Sequence, residues 1–239
     1  MKTVIHTADS RGYFDHGWLQ THHTFSFARY WDNDRVHFGE LRVLNDDVVA
    51  GGEGFGTHPH ENMEIISIPL EGELRHGDSM GNTEVLSPGQ IQVMSAGTGI
   101  THSEMNSNYD EPVKFLQIWV LPDRDGHTPR YETVTLAPAV AGKPRTLVTP
   151  EDKREAGASW MHQQVWFHTL DLEPGGTFEY ELRRKGNGLY VFVIDGGATV
   201  AGKTLSRRDG IGVWDTDKVT LATDGNAKLL LIDVPMVES

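Results

Sequence analysis

The chain contains no cysteine, which removes both a disulfide framework and a thiolate-bound metal and leaves nitrogen and oxygen as the donors for any ion. A long apolar run is missing too. The opening stretch Met1-Lys2-Thr3-Val4-Ile5-His6-Thr7-Ala8-Asp9 has no apolar core of signal-peptide length, and no later segment approaches a membrane span. A soluble cytoplasmic protein is the expectation. Positive charge is scarce: 21 Lys and Arg stand against 34 Asp and Glu, a formal net charge of −13 over 239 residues. Nucleic acid and anionic membranes both require a basic face, so neither is an expected direct partner. The short basic runs Arg183-Arg184-Lys185 and Arg207-Arg208 read as solvated turn residues.

Glycine, by contrast, is plentiful, at 26 residues, and suits many tight turns better than helices. Short apolar or alternating runs recur between Gly, Pro, Asn and Asp, the pattern of an all-β sandwich or barrel. Strands are expected over Leu41 to Leu44, Met63 to Leu70, Gln90 to Met94, Phe115 to Leu121, Leu189 to Ile194, Ile211 to Trp214 and Lys228 to Val234. Long amphipathic helices are not expected. Three segments recur in the same order. The run from Glu64 to Gly72 matches Leu189 to Gly196, Pro88 to Val93 matches Asp209 to Trp214, and Phe115 to Pro122 matches Leu229 to Pro235. They suggest a duplicated β unit. The Ala/Pro/Gly-rich stretch Ala137 to Pro144 is the natural join, which gives domains 1–136 and 137–239.

Chemistry concentrates in the first half. His58-Pro59-His60 and His102-Ser103-Glu104 supply three imidazoles and a carboxylate, each pair with one residue between its members. On a strand that spacing puts both members on one face. Two such strands meeting inside a barrel would converge four ligand groups on one point. A set of three nitrogens and one oxygen suits Fe(II), Mn, Ni, Cu or Zn without choosing among them. Glu64 shares the parity of His58 and His60 if the strand runs unbroken, so it is a rival carboxylate or a partner that holds a ligand histidine. Laying Gly196 on Gly72 puts Leu182 and Arg184 where His58 and His60 stand, and no histidine follows His168. A second site of the same kind is therefore not expected. His16, His22, His76, His127, His162 and His168 have no ligand-spaced partner and read as surface or structural residues. In His23-Thr24-Phe25-Ser26-Phe27 the alternation is that of a half-buried strand, with both phenylalanines in the core.

Gly52, five residues on to His58-x-His60, then Glu64 and the closing Gly72, together resemble the first metal motif of the cupins. Gly89, Ser95-Ala96-Gly97 and the later His102 and Asn106 resemble the second motif, with serine where proline is usual and two extra residues before the histidine. Those departures, with Gly97-Thr98-Gly99-Ile100-Thr101-His102-Ser103-Glu104, His16-Gly17-Trp18-Leu19 and His23 to Phe27, are similar to the pirin family. The resemblance implies a bicupin with one metal, usually iron, in the N-terminal barrel, held by His58, His60, His102 and Glu104, and a degenerate C-terminal barrel. The bacterial members imply a dioxygenase that cleaves a flavonol such as quercetin with O2 and releases carbon monoxide, with Glu104 as base. The mammalian member implies the alternative, an iron-dependent redox sensor that docks on a protein partner. A cupin isomerase acting on sugar phosphates would need an arginine clamp, which the motifs do not supply. A monomer is the expected state.

Overall fold

The computed structural model describes residues 1–236. The first half contains β1 (Lys2–His6), β2 (Gly12–Asp15), β3 (Leu19–His23), β4 (Leu41–Val49), β5 (Gly54–His60), β6 (Glu64–Glu71), β7 (Leu74–Asp78), β8 (Thr83–Leu86), β9 (Gln90–Ser95), β10 (Ile100–Asn106), β11 (Val113–Val120) and β12 (Arg130–Thr135). The second contains β13 (Arg145–Pro150), β14 (Ser159–Met161), β15 (Trp166–Leu172), β16 (Thr177–Glu181), β17 (Asn187–Gly196), β18 (Ala198–Val200), β19 (Lys203–Leu205), β20 (Gly210–Trp214), β21 (Lys218–Ala222) and β22 (Ala227–Pro235). Among the described residues the helical elements are two 3₁₀ turns, Ala8–Ser10 and Glu151–Lys153. Among those residues no helix is long and apolar enough to cross a membrane.

The strands form two barrels of the same plan. In the first, a sheet ordered β12-β9-β6-β11-β4-β3-β2 faces a smaller one ordered β5-β10-β7-β8; in the second, β1-β20-β17-β22-β15-β13-β14 faces β16-β21-β18-β19. The strand order maps β6 on β17, β9 on β20 and β11 on β22, the three segments that repeat in the sequence. It also pairs β5 with β16 and β10 with β21 as counterparts. Gly72 and Gly196 close the equivalent strands β6 and β17 at φ +75° and +77°. A Cβ on either would stand 2.8 Å from the Pro112 carbonyl oxygen or 1.9 Å from that of Asn226. Only glycine meets both demands. The expected boundary at 136/137 lies between β12 and β13, while β1 crosses over to pair with β20 of the second barrel.

The large sheets pack face to face. Alternate residues of β6 and β11, Ile66, Ile68, Leu116 and Ile118, meet Leu147, Phe167, Phe192, Leu230 and Ile232 in one apolar layer. Each such fully buried side chain contributes roughly 1.5–3 kcal/mol, and the layer fixes the barrels to each other. The opposite faces of the same strands are left to line the barrel interiors, which is where the two halves differ.

A candidate metal centre in the first barrel

β5 is the outer strand of its sheet, a position that tolerates the missing N–H of Pro59 between the two histidines. It runs antiparallel to β10 with His58 directly opposite His102 and His60 opposite Ile100. The ring centroids stand 4.5 Å apart for His58 and His102, 4.8 Å for His58 and His60, and 4.9 Å for His60 and His102. One ring nitrogen from each of the three lies within 4.8 Å of the other two. The Nδ1 of His58 is 2.7 Å from the Gly56 carbonyl oxygen, a contact that ties up Nδ1 and leaves Nε2 as the free donor. His102 is 1% exposed, and neither of its nitrogens has a protein partner. Burial and the adjacent imidazoles hold His60 down to about 4 and His102 down to about 3. Their lone pairs are therefore available at neutral pH. A buried imidazole with two unpartnered nitrogens is costly unless something completes it, and a divalent ion with nitrogen ligands fits this cluster.

Glu104, two residues further on β10, is not part of that close cluster. It is 1% exposed and meets a row of polar side chains from the facing sheet. His23, Asn45, Gln117, Ser67 and Gln92 are successive register partners across β3, β4, β11, β6 and β9. His23 Nδ1 contacts Asn45 Oδ1 at 2.8 Å. Ser67 Oγ and Gln92 Nε2 donate to Glu104 Oε1 at 2.7 and 2.6 Å, and Gln117 Nε2 donates to Oε2. Each carboxylate oxygen accepts at two positions. Oε1 is thus filled, while Oε2 keeps one position open.

Beside the histidines is a cavity of about 260 Å³, walled by Leu19, Phe27, Phe55 and Trp119 and reached by Thr21, Asp47, His58, His60 and Gln117. Trp119 packs edge-on against His60 at 4.9 Å and against Phe27 at 5.2 Å. A wider cleft of about 550 Å³, lined by Pro59, His60, Ser79 and Thr101 among others, opens on the other side of His60. Both volumes are near the range of small-molecule sites.

Several sequence expectations are corrected here. Glu64 is not on the histidine face, because a turn at 61–63 separates β5 from β6. Sharing parity with Ile66 and Ile68, it faces the layer between the barrels, accepts from Ser95 Oγ at 2.7 Å, and is pushed up by burial to about 7. Phe25 is core, at 1% exposed, whereas Phe27 walls the cavity, since the chain leaves its strand at His23. Of the histidines set aside as surface or structural, His16 also lines the cavity. His76 is fully buried behind His102, stacked on Tyr131 at 4.1 Å with Asp78 Oδ2 3.0 Å from its Nε2. Its spacing to Asp78 is the available signal, a His-x-Asp pair on one strand face.

The same combination is found in known proteins. The Pirin family model matches residues 4–120, and a model described as the quercetinase C-terminal cupin domain matches 147–234. A quercetin 2,3-dioxygenase of Escherichia coli strain K12 is 41% identical over 233 residues, which cover 98% of this chain and 99% of that protein. The crystal structure of the E. coli bacterial pirin YhhW in complex with nickel(II) superposes with a TM-score of 0.92 at 37% identity, covering 99% of this chain and 100% of that one. An Acinetobacter baumannii quercetin 2,3-dioxygenase structure, at 19% identity and a TM-score of 0.78 over 97% of this chain and 85% of that one, shares the fold. From its two barrels to its length-wide identity with these relatives, the chain belongs to the pirin family.

Proposed function

We propose that this chain is a metal-dependent dioxygenase that opens the central ring of flavonols such as quercetin, consuming O2 and releasing carbon monoxide. The observation that carries this reading is the three-histidine cluster at the wall of an aromatic cavity, in a chain 41% identical to a quercetin 2,3-dioxygenase. His58, His60 and His102 would hold the ion, with Glu104 Oε2 as the fourth donor, and Fe(II) is the proposed ion ahead of Cu, Ni, Mn or Zn. When bound, the ion supplies Lewis acidity and, for iron, a one-electron couple.

The protein's own groups do the rest. Phe27, Phe55 and Trp119 offer flat apolar walls to a planar substrate and keep water from it. The single open position on Glu104 Oε2 serves in turn: as a donor to the ion and, once free of it, as the base that accepts the proton of the hydroxyl at the ring to be opened. Gln117, Ser67 and Gln92 fix that carboxylate so that little reorganisation accompanies the proton's arrival. A monomer in the cytoplasm is part of the same proposal.

The test is anaerobic reconstitution with each ion, then quercetin and air, following O2 uptake, loss of flavonol absorbance and carbon monoxide. Metal-dependent carbon monoxide release that His58→Ala abolishes supports the reading. Tight metal binding with no O2 uptake on any flavonol would overturn it, in favour of a redox-sensing protein that docks on a partner.

A further inference from the structure

A carboxyl group other than Glu104 lines the aromatic cavity, and nothing in the chemistry above uses it. Asp47 lies on β4, two residues from Asn45 and on the same face, opposite Phe115 on β11 and Thr21 on β3. It is 2% exposed and lines the cavity with Leu19, Thr21 and Phe55. Trp119 is four residues from Phe115 along β11, so Asp47 and Trp119 mark opposite ends of that wall.

The bonding of Asp47 is incomplete. One oxygen accepts from the Thr21 hydroxyl at 2.5 Å. The other has no protein donor among the described residues, and no cation approaches the group. Two arginines, Arg11 and Arg208, go to its neighbour Asp46 on the other face of the strand. Glu104 differs in this respect, since three side chains already hold it. Burial pushes Asp47 up to about 7, with Asp46 and Glu104 adding to the effect. A buried carboxyl with one neutral donor is a liability to the fold, and its remaining oxygen is free for a ligand in the cavity.

We infer that Asp47, positioned by Thr21, is a specificity residue that binds a phenolic hydroxyl of the substrate, distinct from the hydroxyl presented to Glu104 and the histidines. The inference rests on the proposed aromatic substrate and names the feature of it that the cavity reads. The apolar walls accept any flat ring system, whereas Asp47 rewards one that places a hydroxyl at its end of the cavity.

The probes are quercetin, which has hydroxyls on its outlying rings, and 3-hydroxyflavone, which keeps only the hydroxyl at the ring to be opened. Anaerobic isothermal titration of both into the metal-loaded and the metal-free protein reads binding without turnover. Wild-type protein is expected to bind quercetin about 10- to 100-fold more tightly, the worth of a hydrogen bond to a carboxyl group. Asp47→Ala should bring the ratio close to one while metal content stays at the wild-type level, and Thr21→Val should lower it in part. If Asp47→Ala does not fold, the isosteric Asp47→Asn is expected to reduce the ratio at least severalfold. A wild-type ratio near one, or a ratio that survives in these variants, overturns the inference. Discrimination at Asp47 with no O2 uptake on either flavonol keeps this inference and rejects the dioxygenase reading, so the two failures are separable.

Discussion

The two barrels share one topology and have opposite interiors. The second is filled: Leu170, Leu189, Val191, Val193, Val213, Leu221, Leu229 and Leu231 belong to one continuous apolar cluster. In the first, the apolar residues divide into two small groups, one around Leu74, Val113 and Phe115 and the other around Ile65, Met94 and Ile100. The belt of His23, Asn45, Gln117, Ser67 and Gln92, with Glu104 above it, occupies the barrel interior with them. Where β5 and β10 carry His58 and His102 as cross-strand partners, β16 and β21 pair Tyr180 with Val219. The buried carboxyl of the second barrel, Asp233, accepts from Tyr180, Asn187 and the Arg183 backbone and does not line any cavity described here. One copy has kept space beside its polar groups, and the other has exchanged that space for packing.

That contrast can be broken most sharply at the histidines. His102→Ala should reduce metal affinity by well over the 10- to 100-fold typical of losing a supporting residue, read as metal content after gel filtration. Glu104→Gln is expected to retain some metal and lose turnover by about 10²- to 10⁴-fold, the usual worth of a positioned acid or base; full activity would remove it from that role. In the filled barrel, Leu229→Ala should cost about 2–5 kcal/mol in denaturant unfolding. Its metal content should be unchanged, since the side chain touches no part of the site.

Glu64 tests the layer between the barrels. A carboxyl raised to about 7 in the fold and near 4.5 when unfolded stabilises the protein fully below pH 4.5, and that contribution is lost as pH rises through 7. Glu64→Gln removes the titration. The melting temperature of the variant relative to wild type should therefore climb between pH 4.5 and 7 and level off above, with a total difference on the order of 3 kcal/mol. The smallest effect belongs to His168, buried in the second barrel with both ring nitrogens unpartnered. His168→Leu should stabilise by about 1 kcal/mol and leave metal binding untouched.

How far these features could be read from the chain varies with the kind of signal. β6, β9, β11 and their repeats are continuous apolar runs bounded by glycine or proline, and they were legible as strands. β5 and β10 were visible only through ligand spacing, because Gly54 to His60 is a polar, half-exposed outer strand with no hydrophobic period. The belt was not legible. Ser67, Gln92 and Gln117 each sit singly within an apolar strand, and their meeting depends on register between strands 25 to 50 residues apart. Glu64 misled for a related reason: parity carries across a strand but not across the turn at 61–63. The crossing of β1 to β20 likewise has no local sequence sign.

One metal per chain, in the first barrel, is what this duplicated fold is expected to hold. The most direct test is the metal-to-protein ratio, by inductively coupled plasma mass spectrometry, of the reconstituted wild type, His102→Ala and His168→Leu. One ion per chain is expected in the wild type and in His168→Leu, and none in His102→Ala. Two ions per chain, or one that persists in His102→Ala, would contradict this.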